Sequence, residues 1–381
     1  MKVLLVGEYS RLHNSLKEGL EVLQHEVTII ATGDSFKQFP VDYSIFPRYF
    51  MENKLLVFLN KILFRLFKLD LPLAEKGIRF WLFLPRLKEY DVVQLINSNA
   101  IETYPFFSKF LLKKLFRQNK KSFLLVCGED TPIIDFMLKD SLTYSILTPL
   151  LKDRKLASYY RFSLKYTQKK YRDLYDFVSK SVSKTIVSDL DYKIPLPEKT
   201  LIPNPVNTAK IAFEPLDSVQ KVIIFLGVNN TSSIKKGTLF FEESLKIIQQ
   251  KYGNKIAIIK TENAPYKQYI TLYNHAQIVL DQIYSYDQGY NALEAMAKGK
   301  VVFTGAETEF NNYYHLTERV CVNALPDVDY LVAELSYLIE NPEEITEMGK
   351  RARAFIEKEH DYVKIAESYL KVWSESERKV Y

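Results

Sequence analysis

Short apolar runs alternate with amphipathic stretches along this chain, in the order expected of a parallel α/β protein. Lys2–Val6 reads as a buried strand, Leu12–Leu23 as an amphipathic helix and Glu26–Ala31 as the next strand, a doubly wound opening. Val92–Ile96, Phe123–Val126 and Thr185–Val187 continue as strands. A second series runs through Val222–Leu226, Ile256–Lys260, Ile278–Leu280 and Val301–Phe303, with a helix from Thr238 onward and another over Tyr290–Lys298 that Gly299 closes. The pattern ends in three helices, 328–340, 342–358 and 362–373. Continuous apolar runs of this length suit strands covered on both faces. The chain of 381 residues is long enough for two domains. Residues 150–180 are basic and carry Tyr159, Tyr160, Tyr166, Tyr171 and Tyr175 at spacings that predict a packed helix.

Parallel sheets place their ligands in the loops after the strands. The most informative such loop lies in 278–305, between a strand and a helix, and its polar residues are Tyr286, Asp287, Gly289, Tyr290, Asn291 and Glu294. A helix start there offers free N–H groups to an anion such as phosphate. Elsewhere, Gly7-Glu8-Tyr9 follows the first strand, Glu129-Asp130 follows Phe123–Val126, and Gly227 follows Val222–Leu226. A polar loop from Val228 then leads to Lys235-Lys236-Gly237. Two adjacent acids at a strand end point different ways, so only one of Glu129 and Asp130 is expected to enter a cleft; a helix-capping acidic turn is the alternative. The loop Thr261–Tyr266 follows Ile256–Lys260 at a strand end. No Gly-x-Gly-x-x-Gly is present, so nothing supports a dinucleotide-dependent oxidoreductase.

Glu294-Ala-Met-Ala-Lys-Gly299, Lys236-Gly237 and Leu201-Ile-Pro-Asn-Pro-Val-Asn207 together resemble retaining glycosyltransferases of family 4, as in bacterial surface or capsular polysaccharide biosynthesis. The family's first Glu, separated from the second by seven residues, is replaced by Tyr286 with Asp287 beside it. Its Arg after the first strand of the second domain has no match, and Asn229 or Asn230 stands near its place. The resemblance implies an α/β GT-B fold: two Rossmann-like, doubly wound parallel-sheet domains facing across a cleft. The implied division is an acceptor domain 1–203, a nucleotide-sugar domain 204–360 and a helix 361–381 crossing back to the first. It implies transfer of a sugar, with retention, from a nucleotide-diphosphate sugar to a glycan or lipid-linked acceptor, without a cofactor or catalytic metal. Lys236 and Lys235 would hold the diphosphate with Gly289, Tyr290, Asn291 and Gly227 around it. Glu294 would bind ribose hydroxyls, and Tyr286 or Asp287 would face the donor sugar. Asp287, Glu129 and Asp130 are the catalytic candidates, and Gly7, Glu8 and Tyr9 face the cleft. A GT-B homologue that only binds nucleotide or glycan, and a nucleic-acid-binding protein using the Tyr-rich segment, are the other classes considered; no nucleic-acid partner is expected.

Charge adds one feature. Residues 1–200 hold 32 Lys and Arg against 22 Asp and Glu, whereas 201–381 hold 20 against 24. A basic first half points to an anionic partner. Residues 53–69 and 105–121 are helix-like, rich in Phe and Leu, and carry their charges as Lys and Arg. Such helices either lie on an anionic bilayer or pack on the core with a solvated basic face. Two cysteines, Cys127 and Cys321, form no disulfide framework, and the first residues read as a strand rather than a leader. Both features point to the cytoplasm, with the inner face of the membrane as the place of contact.

Overall fold

The structure, a computed structural model, describes residues 1–34, 37–214, 221–264, 266–377 and 379. Its strands are β1 (Lys2–Val6), β2 (Glu26–Ala31), β3 (Tyr43–Ser44), β4 (Val92–Leu95), β5 (Lys121–Val126), β6 (Lys184–Val187), β7 (Thr200–Leu201), β8 (Val222–Val228), β9 (Ile256–Glu262), β10 (Ile278–Leu280), β11 (Val301–Thr304) and β12 (Val322–Asn323). They form two sheets, β3-β2-β1-β4-β5-β6-β7 and β12-β11-β10-β8-β9. Every pairing is parallel; Val6, for example, lies between Ile30 and Leu95. Each sheet reverses its strand order beside its first strand, which is where a doubly wound sheet opens a crevice at its strand ends. These two crevices face each other.

The strands are apolar because helices cover both faces. Val3, Leu4, Leu5 and Val6 are fully buried, as are Val301, Val302 and Phe303. The Tyr362–Glu375 helix, expected to cross back, packs along the Leu12–Val22 helix of the first domain. Gly19 makes that approach possible, since a Cβ there would lie 2.2 Å from the Tyr362 carbonyl oxygen. The 150–180 segment is not one helix. Extended backbone at Asp153 and Gln168 divides it into short turns and one longer helix, Lys169–Ser181. Tyr160, Tyr166 and Tyr171 are buried.

One element departs from a simple core-facing design. The Lys54–Phe67 helix is capped at its start by Asn53, whose side chain accepts from Leu55 and Leu56 N–H. Yet none of its residues is buried. It does not pack on the core, contrary to one of the two sequence expectations. No helix among the described residues is long and apolar enough to cross a membrane.

Candidate functional site

The facing crevices enclose a cavity of about 680 Å³. The loops after β1, β4, β5 and β6 supply one wall, through Tyr9, Asn99, Glu129, Asp189 and Asp191. The loops after β8 and β10 supply the other, through Ser232, Lys235, Lys236, Gln282, Tyr284, Gln288, Gly289 and Tyr290. Strand ends thus contribute to both walls, and the cavity lies where the two sheets meet.

On the second-domain wall, Gly237 has φ +69°, and a Cβ would lie 3.0 Å from Ile283. This left-handed turn ends the Ser233–Lys236 turn and starts the Thr238–Tyr252 helix, which fixes where the two lysines project. Lys236 Nζ lies 2.8 Å from Asp281 Oδ1. Asn291 Nδ2 donates to the same oxygen at 3.1 Å. Lys235 reaches across the cleft to the Glu129 carboxylate and donates to Ser163 Oγ at 2.7 Å. Gly289 precedes the Tyr290–Ala297 helix with no side chain capping its first N–H groups. That bare helix start and the two ammonium groups share one wall, a suitable seat for a multiply charged anion.

On the first-domain wall, Glu129 lines the cavity and its Oε2 is buried without a partner. Asp130 turns inward. It caps the Thr131–Met137 helix and accepts from Ser98 N–H at 3.0 Å and Ser98 Oγ at 2.7 Å. Burial raises its carboxyl above the usual range. Of the acidic pair, one member enters the cavity and the other is the helix cap. Lys165 also lines the cavity, and its ammonium makes no ion pair or hydrogen bond among the described residues. Its Nζ rests 3.6 Å from the Phe162 ring centroid and 4.8 Å from that of Tyr166. Desolvation lowers its pKa to about 8.

Several expected residues lie elsewhere. Asp287 does not line the cavity: Oδ2 accepts from Leu190 N–H at 3.1 Å and Oδ1 from Gln288 N–H at 2.8 Å. It serves the seam between domains by capping the short helix at Leu190. Burial there raises its pKa to about 7. The Tyr286 ring packs on Tyr144, and its hydroxyl accepts from Thr143 N–H. Glu294 is also outside the cavity, one turn beyond Tyr290 and in the field of Arg11; burial raises its carboxyl. Lys236 thus lines this cavity and Glu294 does not. Asn291 is occupied by Asp281 and Tyr269. Gly227 packs against Tyr269, where a Cβ would meet the ring at 2.4 Å. Of the first loop, Tyr9 lines the cavity. Gly7 (φ +87°) packs on Ile96, and Glu8 is buried on Asn14 with its pKa raised to about 8, chiefly by burial. In the Thr261–Tyr266 loop, Pro265 and the Tyr266 side chain lie outside the described residues.

The sequence reading missed Asp189 and Asp191, which line the cavity at Asp-x-Asp spacing directly after β6. Asp191 accepts from Ser285 Oγ at 2.6 Å and Tyr286 N–H at 3.0 Å, so it ties the two walls together. Their position at a strand end was the available signal. Among the described residues no group of three His, Cys, Asp or Glu side chains is arranged to hold a metal ion.

Comparison with known proteins places this geometry in context. A family described as glycosyl transferase-like matches residues 237–371, which hold the Gln282–Tyr290 part of the second-domain wall and most of the crossing helix; Lys235 and Lys236 stand just before the matched segment. No curated protein sequence matches. Among solved structures, sucrose-phosphate synthase from Thermosynechococcus elongatus aligns at 13% identity over 98% of each chain, with a TM-score of 0.60. Anabaena Alr3699/HepE, solved with UDP and glucose, aligns at 12% identity over 98% of this chain and 99% of its own, also at 0.60. Trehalose-6-phosphate synthase OtsA aligns at 11% identity over 99% and 100%, again at 0.60. The fold is GT-B: two parallel, doubly wound sheets facing each other, with a C-terminal helix.

Proposed function

We propose that this protein is a glycosyltransferase that moves a sugar from a nucleotide-diphosphate sugar to an acceptor hydroxyl in glycan assembly, with retention at the anomeric carbon. One observation carries the reading. Lys235, Lys236 and the uncapped helix start at Gly289–Tyr290 converge on one wall of the interdomain cavity, opposite Glu129 and Lys165. In this reading the lysines and the helix start neutralise the diphosphate as the sugar–phosphate bond breaks, and they are already in place before charge develops. The first-domain wall receives the acceptor, and Glu129 is the carboxylate within reach of its hydroxyl. The family likeness of residues 237–371 and the GT-B fold support the reading. The test is a melting-temperature screen against nucleotides and nucleotide sugars, followed by transfer assays on any stabilising ligand. A ligand at a hundred times its Kd should stabilise the fold by about 2.7 kcal/mol. Absence of stabilisation by every nucleotide and nucleotide sugar would remove the proposal.

A binding-only protein is the second reading. It draws on the engagement of Asp287, the carboxylate beside the place of the family's missing one, by two backbone N–H groups. The Lys235–Glu129 pair separates the two readings. An entering diphosphate competes with Glu129 for Lys235, so Glu129→Gln should tighten nucleotide binding several-fold. If Glu129 takes the acceptor proton, the same change lowers transfer about a hundredfold. Titration calorimetry and a transfer assay on the one variant give both numbers. Tighter binding with no transfer by either protein selects the binding-only reading.

A further inference from the structure

The surface built by residues 49–110 is apolar in a way that the core does not explain. Tyr49, Met51, Leu55, Phe58, Leu59, Ile62, Phe64, Leu66, Phe67, Leu69, Ile78, Trp81, Leu82, Phe106 and Phe110 are all exposed, and they are 15 of the 23 large apolar side chains exposed among the described residues. All but Leu69, which links two of them, come from four helices: Arg48–Glu52 contacts Lys54–Phe67 and Leu71–Phe83, and Leu71–Phe83 contacts Pro105–Arg117. An apolar patch of this breadth marks an interaction surface.

Its charge says what kind of surface. On the Lys54–Phe67 helix, Leu55, Phe58, Leu59, Ile62 and Leu66 fall within about 100° of the circumference. Lys54, Lys61, Arg65 and Lys68 form the stripe beside them, and no acidic residue occurs from 54 to 69. On the Pro105–Arg117 helix, Phe106 and Phe110 stand with Lys109, Lys113, Lys114 and Arg117, again with no acid. None of these eight cations is in an ion pair among the described residues. A second copy of the chain on this face would bring two such sets of cations together, so self-association is opposed by their repulsion. An anionic lipid surface complements both features at once, since its headgroups take the cations and its acyl boundary takes the Phe and Leu side chains.

We infer that this face docks on an anionic phospholipid bilayer, with the Lys54–Phe67 helix lying in the plane of the interface. The Leu71–Phe83 helix connects the face to the cavity. Leu73 and Lys76 line the cavity, while Ile78, Trp81 and Leu82 are exposed a turn further on. Docking therefore sets the first-domain wall of the cavity beside the membrane. This inference does not depend on the sugar-transfer reading. If both hold, the acceptor is one that the membrane carries.

The test uses the full chain and vesicles of phosphatidylcholine with or without an equal share of phosphatidylglycerol. The chain is expected to float with the anionic vesicles and to be released as salt screens the charges. Lys61→Gln/Arg65→Gln should weaken binding about fivefold per charge removed. Phe58→Ser/Ile62→Ser should abolish it while leaving the melting temperature of the free protein unchanged, because both side chains are exposed. A spectroscopic readout is also available. The chain has two tryptophans; Trp373 is buried and Trp81 sits on the proposed face. Brominated anionic lipid should quench Trp81, and Trp81→Phe should remove the effect. Three results would overturn the inference: no binding to anionic vesicles, no quenching of Trp81, or a concentration-dependent dimer that Phe58→Ser/Ile62→Ser dissolves.

Discussion

Lys236→Ala is expected to lower transfer from a nucleotide-diphosphate sugar by about a hundredfold or more, in kcat as well as kcat/KM, because it removes a preplaced charge from the leaving group. The variant has a second effect that must be separated from the first. Lys236 is the cation beside Asp281, whose side chain is 2% exposed, and its loss leaves that carboxylate with the Asn291 amide alone. Breaking a buried pair from one side is costly; with the lysine itself a third exposed, the cost is roughly 1–3 kcal/mol. Lys236→Ala/Asp281→Asn removes the unpaired charge. The double variant should therefore recover melting temperature but not transfer. Recovery of both by the double variant would make Lys236 a structural counter-ion and take it out of the site. Glu294→Ala, in contrast, should affect donor turnover much less, since Glu294 lies outside the cavity.

This contrast shows where sequence reasoning succeeds and where it stops. Strand positions were legible because burial on both faces imposes an unbroken apolar run; Ile278–Leu280 and Val222–Leu226 needed nothing else. Lys236-Gly237 was legible through the family resemblance, and the structure supplies the physical reason for its glycine, a left-handed turn that no other residue adopts as easily. Side-chain direction in the loops was not. Asp287 turns to the Leu190 N–H, a donor 97 residues away and on the other domain. Nothing in the sequence around Asp287 announces that partner. Lys165 escaped notice because its segment reads as one amphipathic helix, whereas extended residues at Asp153 and Gln168 break it and leave the lysine at the cavity. The Lys54–Phe67 helix shows the converse limit. Its amphipathic pattern was plain, but the pattern states only that a face is apolar, not whether protein covers it.

Trp373→Ala should be the most destabilising single change away from the cavity. The indole is 1% exposed, packs on Phe123 and Tyr369, and donates through Nε1 to Gln94 Oε1 at 3.1 Å. Truncation empties a large volume in the first-domain core and leaves a buried amide acceptor unmatched, for a loss of roughly 3–5 kcal/mol. The first-domain unfolding transition should fall by on the order of 10 °C. Trp373→Phe keeps most of the ring packing and loses only the N–H, so roughly 1–2 kcal/mol is expected. The consequence for the site is specific. Trp373 belongs to the Tyr362–Glu375 helix, which follows the second domain in sequence and is anchored on the first. Lys235, Lys236 and Gly289 stand on the other sheet. Well below the transition, nucleotide affinity should therefore stay near that of the parent, while scanning calorimetry shows the first domain melting early. A parallel loss of nucleotide affinity at low temperature would mean that the crossing helix holds the donor wall itself in shape.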